Sequence, residues 1–417
     1  MKFFKHIKIN SITNDILTVA GGSVIAQGFT MVVMPLLSRI YSPADFGIAA
    51  AFSSLLSILL PLSSLRYFQA IALPRQQRYA CAIANLAAII QFCYFMLLLF
   101  IMAFIGDILL SHINMESVSN YKLLIPFAVW GASLYEMLVQ CAIRMKLFSI
   151  IAKTKVSQSL SGGITKIVLG VFGLRPIGLI IGIIIGQAGG ITSLVLSLNQ
   201  KKFIQRSKRH LVKRAALKFK NFPLYAMPTA IVDTAGAQII PLLVFCFYGT
   251  TVAGYFSMAH QLLLIPSVFI GKAIGQVFLQ RASVAKYNGT LGKLCSDTYK
   301  TLLKIGILPM IILMLTAPFV FEFVFGKEWI NAGEYVKFLA PITTMNFAYS
   351  PISHIFNIQN RQKTALILQT IFFTVITCCF LIGTVYHSPY LSIGLYSIGG
   401  SLMIGIITFY VLRIAYL

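Results

Sequence analysis

Between Lys201 and Lys220 the chain reads KKFIQRSKRHLVKRAALKFK, nine Lys or Arg without one acidic residue, and a long series of apolar stretches lies on either side. A run this charged does not enter hydrocarbon; it stays in water or rests on a headgroup surface. It divides the 417 residues almost in half. The sequence therefore predicts two membrane-embedded parts, residues 1–200 and 222–417, joined by a cytosolic basic linker at 201–221. The linker's spacing suggests a short helix on the anionic inner leaflet, with Phe203, Ile204, Leu211, Val212, Leu217 and Phe219 dipping into lipid.

Composition agrees with the membrane reading. The chain is 58% hydrophobic and 11% charged, with a mean hydropathy of +0.84, more apolar surface than a soluble chain of this length can hide. The net charge of +24 would elsewhere suggest nucleic acid. Here the basic residues punctuate apolar spans and the dense run carries only Phe203 and Phe219 as aromatics, so no nucleic-acid partner is expected. Lys2, Lys5 and Lys8 precede an apolar stretch that continues through Leu37 without a small-residue cleavage site, which reads as a first span rather than a cleaved leader. The seven cysteines include no CxxC pair and are expected to be buried free thiols, implying neither a disulfide framework nor a metal site. No phosphate loop, HExxH, GxSxG or paired-carboxylate motif is present, so no catalytic residues, no cofactor and no ATP-driven chemistry are expected.

Apolar stretches of about 20 residues place about twelve transmembrane helices near 14–38, 45–66, 79–105, 120–143, 152–173, 177–198, 222–248, 252–279, 298–325, 334–357, 364–386 and 390–412. Most of the 34 basic residues fall at the N-terminus, in the loops after even-numbered spans and at the C-terminus; the opposite face has Arg39, Lys122, Arg175, Lys327 and Lys337, with six acidic residues, among them Asp45 and Asp107. That asymmetry puts both termini in the cytosol. The largest outward loop, about 106–119, leaves no room for an outer domain. The halves also repeat. Tyr41-Ser-Pro-Ala-Asp-Phe-Gly47 follows span 1 and Tyr248-Gly-Thr-Thr-Val-Ala-Gly254 follows span 7, 207 residues later, and Arg144-Met-Lys146 is matched by Arg361-Gln-Lys363. Six spans per half give two lobes of one orientation, related by a pseudo-two-fold along the membrane normal, a plan common in transporters.

The stretch Met34-Pro-Leu-Leu-Ser-Arg-Ile-Tyr-Ser-Pro-Ala-Asp-Phe-Gly47, with Leu65-Arg-Tyr-Phe-Gln-Ala-Ile-Ala-Leu-Pro74 after span 2, resembles Wzx-type polysaccharide flippases of the multidrug/oligosaccharidyl-lipid/polysaccharide exporter superfamily. The motif covers about forty residues, and the span count and duplication extend the likeness over the whole chain. The resemblance implies alternating-access movement of undecaprenyl-pyrophosphate-linked oligosaccharide repeat units across the bacterial inner membrane for O-antigen or other surface polysaccharide. Implied partners are that lipid-linked glycan, anionic membrane lipids, and a polysaccharide polymerase with its chain-length regulator. A cation-coupled drug exporter of the same superfamily and a membrane polymerase or glycosyltransferase are the competing readings. The former would favour an acidic cavity, the latter a substantial outward loop.

A pyrophosphate crossing hydrocarbon needs cations and hydroxyls in a wet cavity. Arg66 ends span 2, and the 207-residue offset brings it one position from Lys272 in span 8, so the two are candidate substrate cations; the alternative is that both snorkel to headgroups. Arg39, beside the first outward loop, is a third candidate, with a rim charge as the plainer reading. Asp233, bracketed by Pro228 and Pro241, would cost about 3 kcal/mol at mid-bilayer without a partner or water, and is a candidate coupling group or counter-ion. Glu136 and Lys166, at mid-depth in spans 4 and 5, are expected to form an ion pair within one lobe. Gly178, Gly182, Gly186 and Gly190 form a stripe expected to pack closely on a neighbouring helix.

Overall fold

The computed structural model describes residues 11–201, 203, 207–266, 274, 275, 278, 281, 282, 285, 286, 288–359 and 361–416. Among these there is no strand. The helices are α1 (Ser11–Ile40), α2 (Pro43–Leu59), α3 (Gln77–Phe104), α4 (Gly106–His112), α5 (Glu116–Ser119), α6 (Leu124–Arg144), α7 (Phe148–Val171), α8 (Ile177–Ala188), α9 (Ile191–Gln200), α10 (Arg209–Lys218), α11 (Met227–Pro266), α12 (Leu291–Phe325), α13 (Ile330–Tyr349), α14 (Ile355–Ile358), α15 (Gln362–Val385) and α16 (Pro389–Tyr416). Eleven of the twelve expected spans fall largely on helix, and the eighth, 252–279, does so through Pro266, beyond which most of it lies outside the described residues. Nine helices among the described residues are long and apolar enough to cross a membrane; one of these contains both α11 spans, while the polar α7 and α13 are not among the nine. Large exposed apolar side chains such as Phe104, Phe172, Leu315 and Phe323 would be a liability in water and are the expected outer surface in lipid.

Two expectations about span boundaries change. The sixth span is two helices, because Gly190 is left-handed (φ +87°) and a Cβ there would strike Thr154. The seventh and eighth spans are one long helix interrupted at Gly249, with φ +81° and an extended ψ. Most of 267–279 lies outside the described residues. The glycine stripe packs as expected: side chains at Gly178 and Gly182 would overlap the Tyr41 hydroxyl and the Lys166 stem. Not every thiol is buried, since Cys93 and Cys378 are exposed.

The chain forms two compact units, residues 1–41 with 48–238, and residues 42–47 with 239–417. In the first, α1 lies on α7, α7 on α8, and α3 on α6. Its core gathers Phe68, Ile83, Leu138, Leu194 and Phe203. The basic linker corrects an expectation here. A helix does form, but its underside faces protein rather than lipid: Phe203 is 2% exposed and Ala215 fully buried, with Leu211, Val212 and Phe219 against the same core. Leu217 points away, 70% exposed, and Ile204 lies outside the described residues. The helix docks on α3, where the Cys81 thiol donates to the Phe203 carbonyl (3.1 Å) and the Lys218 ammonium lies 5.9 Å from the Tyr79 ring centroid.

In the second unit α12 packs on α13, and α13 and α15 on α16. Segment 42–47 joins this unit. Ser42 and Asp45 form a reciprocal capping box at the start of α2, with Ser42 N–H donating to Asp45 Oδ2 (2.9 Å) and Asp45 N–H to Ser42 Oγ (3.3 Å). The two Tyr-x5-Gly segments prove to be partners. A Cβ on Gly47 would overlap the Thr250 carbonyl, and one on Gly254 would overlap the Pro43 carbonyl. Pro43 and Thr250 are themselves 207 residues apart, so the contact is reciprocal under the sequence repeat. The repeated tyrosines are used alike. Tyr41, 1% exposed, donates to the Lys166 carbonyl (2.6 Å), whereas Tyr248 donates to the Ser388 carbonyl (3.1 Å).

Candidate functional site

The second span ends in a way its sequence does not announce. Helix α2 stops at Leu59, and Pro61, lacking an N–H for the helical ladder, sits in a 3-10 turn, Leu60–Leu62. Leu65 (φ +47°) and Arg66 (φ +59°) then both take left-handed backbone conformations, each costing about 1–2 kcal/mol for a residue with a Cβ. What holds them there is the next 3-10 stretch, Tyr67–Ala72, whose Tyr67, Phe68, Ala70 and Ile71 are buried in the first unit's core. The Tyr67 hydroxyl donates to the Ala216 carbonyl (3.1 Å). Arg66 stands at the apex of this turn. Its guanidinium carbon is 5.7 Å from the Phe68 ring centroid, and its Nε is buried without an acceptor.

Arg66 and Gln69 line a cavity of about 580 Å3 in the first unit, together with Asn221, Phe222, Tyr225, Ala226, Thr229, Ala230, Asp233 and Thr234. A π-helical turn at Phe222–Ala226 leads into α11. Asn221, Tyr225, Thr229 and Asp233 recur every fourth residue, presenting one polar stripe. The Thr229 and Thr234 hydroxyls donate to the carbonyls of Tyr225 (2.8 Å) and Ala230 (2.7 Å), so toward the cavity these oxygens act as acceptors. The wall thus offers a cation at Arg66, an exposed carboxylate at Asp233, amide donors from Gln69 and Asn221, and aromatic surface from Phe222 and Tyr225. Arg66 and Asp233 are not ion-paired among the described residues. The arrangement suits an anion on the Arg66 side and hydroxyl-bearing groups along the stripe.

Two of the residues singled out from sequence, Arg66 and Asp233, therefore share one cavity; Lys272 lies outside the described residues. Arg39 is exposed in the last turn of α1 and does not line this cavity. The expected Glu136–Lys166 ion pair does not form. The Lys166 stem lies instead along α8 at Gly182. Equal depth in adjacent spans does not fix azimuth, and α7 turns Lys166 toward α8. Sequence reasoning missed Gln69, Asn221, Tyr225, Thr229 and Thr234; the four-residue period of the stripe is the signal that would have found most of them.

Residues 36–334 match the family model described as "Polysaccharide biosynthesis protein". The chain belongs to that family. Among curated proteins no significant match is found. In fold, this polysaccharide biosynthesis protein is similar to three transporter structures at low sequence identity. "Lipid II flippase MurJ, inward closed conformation" matches with a TM-score of 0.74 and 16% identity over 93% of this chain and 87% of that one. An inward-facing "multidrug resistance MATE family transporter of the MOP superfamily" gives 0.67 and 14% over 94% and 98%. The Vibrio cholerae MATE transporter VcmN gives 0.63 and 14% over 97% and 94%. At such identities the likeness shows the fold, an all-helical multi-pass membrane protein of the same architecture.

Proposed function

We propose that this protein is a non-enzymatic flippase that moves a polyprenyl-pyrophosphate-linked oligosaccharide across the bacterial inner membrane by alternating access, supplying repeat units for O-antigen or a related surface polysaccharide. The observation that carries the reading is the cavity in which Arg66 faces a polar stripe of acceptors and amides in a chain of the polysaccharide biosynthesis family. The Arg66 guanidinium takes the pyrophosphate, replacing the hydration lost on leaving water. Sugar hydroxyls donate to Thr229, Thr234 and Asp233 and accept from Gln69 and Asn221. Lys272 is the second cation of this reading, a polymerase and its chain-length regulator are downstream partners, and both termini are cytosolic.

The test is genetic and biochemical. Deleting the gene is expected to remove surface polymer and leave lipid-linked repeat units on the cytosolic leaflet; normal surface polymer in the deletion strain rejects the reading. Arg66→Ala is expected to lower export more than tenfold at unchanged membrane level. Asp233 in the same cavity favours a second reading, a cation-coupled drug exporter. On that reading Asp233→Asn sensitises cells to organic cations while surface polymer is kept.

A further inference from the structure

The motif Arg144-Met-Lys146 recurs as Arg361-Gln-Lys363, and neither arginine lines the Arg66 cavity. Arg144 closes α6, where a cation ordinarily serves its own helix by meeting the last carbonyls. Here those carbonyls are already engaged. Lys146, left-handed at φ +56°, donates its N–H to the Ile143 carbonyl (3.0 Å), and the Leu147 N–H donates to the Ala142 carbonyl (2.9 Å), the paired bonds of a Schellman ending. The half-buried Arg144 reaches across to another segment instead. Its Nη1 donates to the carbonyls of Ile71 (3.1 Å) and Ala72 (3.3 Å), and its Nη2 to that of Arg75 (3.5 Å).

Ile71 and Ala72 end the 3-10 stretch Tyr67–Ala72, of which Arg66 is the N-cap. Terminal carbonyls of a helical stretch find no donor within it, and bonds from a guanidinium are about twice as strong as neutral ones. The stretch is therefore held at its start by the buried Tyr67 and Phe68 rings and at its end by Arg144. Five residues at the 3-10 rise put Ile71 about 10 Å from Arg66, so a shift at the far end is carried to the guanidinium along one short rod. The turn is sensitive to such a shift, because Leu65 and Arg66 lie in the left-handed region and stay there only while the surrounding packing enforces it. The second unit fastens the same two parts of its own repeat with a different cation. Lys286, beyond the eighth span, donates to the Ile358 carbonyl (2.7 Å) at the end of α14, while Arg361 is exposed.

We propose that Arg144 is a positioning residue of the Arg66 cavity: by bonding the carbonyls of Ile71, Ala72 and Arg75 it fixes the left-handed turn on which Arg66 meets its anion. The role rests on the flippase reading, in which that anion is the pyrophosphate. Arg144 touches no substrate and acts through Arg66.

The full-length protein in detergent is titrated with undecaprenyl pyrophosphate, and backbone amide exchange is followed by mass spectrometry. Arg144→Gln is expected to weaken binding about tenfold in the parent protein and not at all in an Arg66→Ala background. The same change is expected to speed exchange over 65–73 about tenfold or more while leaving α3 and α6 as they are. Arg144→Lys, which restores the charge and part of the bonding, is expected to fall between the parent and the Gln variant in both readouts. A further loss from Arg144→Gln in the Arg66→Ala background, or faster exchange spreading through α3 and α6, makes Arg144 a general structural tie and overturns the proposal. If Arg66→Ala weakens binding and Arg144→Gln does not, the positioning role alone fails. If Arg66→Ala itself leaves binding unchanged, the flippase reading of the cavity fails and the role falls with it. Should the Gln variant aggregate, Arg144→Lys with parent affinity and parent exchange overturns the proposal.

Discussion

The first unit contains positive charge in two opposite forms. Helix α10 concentrates it: Arg209, Lys213, Arg214 and Lys218 are exposed, while its underside is sewn into the core through Leu211, Val212 and Ala215, and the linker before it through Phe203. The turn after α2 contains a single cation, Arg66, set on left-handed backbone with a buried, unsatisfied Nε, and this one lines a cavity. Dense charge here is the solvated back of a structural strap. The isolated charge, held by strained backbone against a polar stripe, is the better candidate for chemistry, because strain persists only where surrounding packing enforces it.

The strongest test of that contrast is Phe203→Ala. Emptying a 2%-exposed aromatic site should cost about 3–5 kcal/mol, seen as a marked fall in the thermal midpoint of the detergent-purified protein; Leu217→Ala, on the exposed side, should leave the midpoint in place. If the two behave alike, the linker is not a strap. Next in size, Arg66→Ala should reduce export more than tenfold while shifting the midpoint little, separating function from fold at that turn. Smaller still is Lys213→Gln with Arg214→Gln, which should leave both export and stability unchanged, within about 0.5 kcal/mol for surface positions; a large loss of export would make the dense charge functional after all. The smallest effect concerns a charge outside both features. The Lys122 ammonium, and then the Ser119 hydroxyl, hydrogen-bonded to Asp107, hold its carboxyl below the ordinary carboxylate range. A lowered folded-state value means the interaction stabilises above the unfolded value of about 3.9 and is lost as pH falls through the folded value. Asp107→Asn should therefore be slightly less stable than the parent protein at pH 7 and indistinguishable from it in stronger acid. A difference that grows on acidification contradicts the pairing.

The helices were legible because hydrocarbon imposes runs of about 20 apolar residues, and the repeat because both Tyr-x5-Gly segments kept their spacing. Arg66 and Asp233 stood out as charges in apolar surroundings. That they share a cavity was not legible, since it depends on two consecutive left-handed residues, Leu65 and Arg66, neither of them Gly or Asn. The Glu136–Lys166 expectation failed on rotation about the helix axis, which depth in the sequence does not report. The linker misled for a related reason: an amphipathic pattern says that a face is buried, not whether lipid or protein covers it.

The reciprocal glycine contact has one more consequence. Gly47 lies against the carbonyl of Thr250 and Gly254 against that of Pro43, each position meeting the repeat-mate of the other's neighbour. Such a self-complementary seam is what two identical subunits make across a two-fold axis. Its presence inside one polypeptide gives this contact the form of a homodimer interface, and it requires that neither glycine be replaced independently of the backbone it faces.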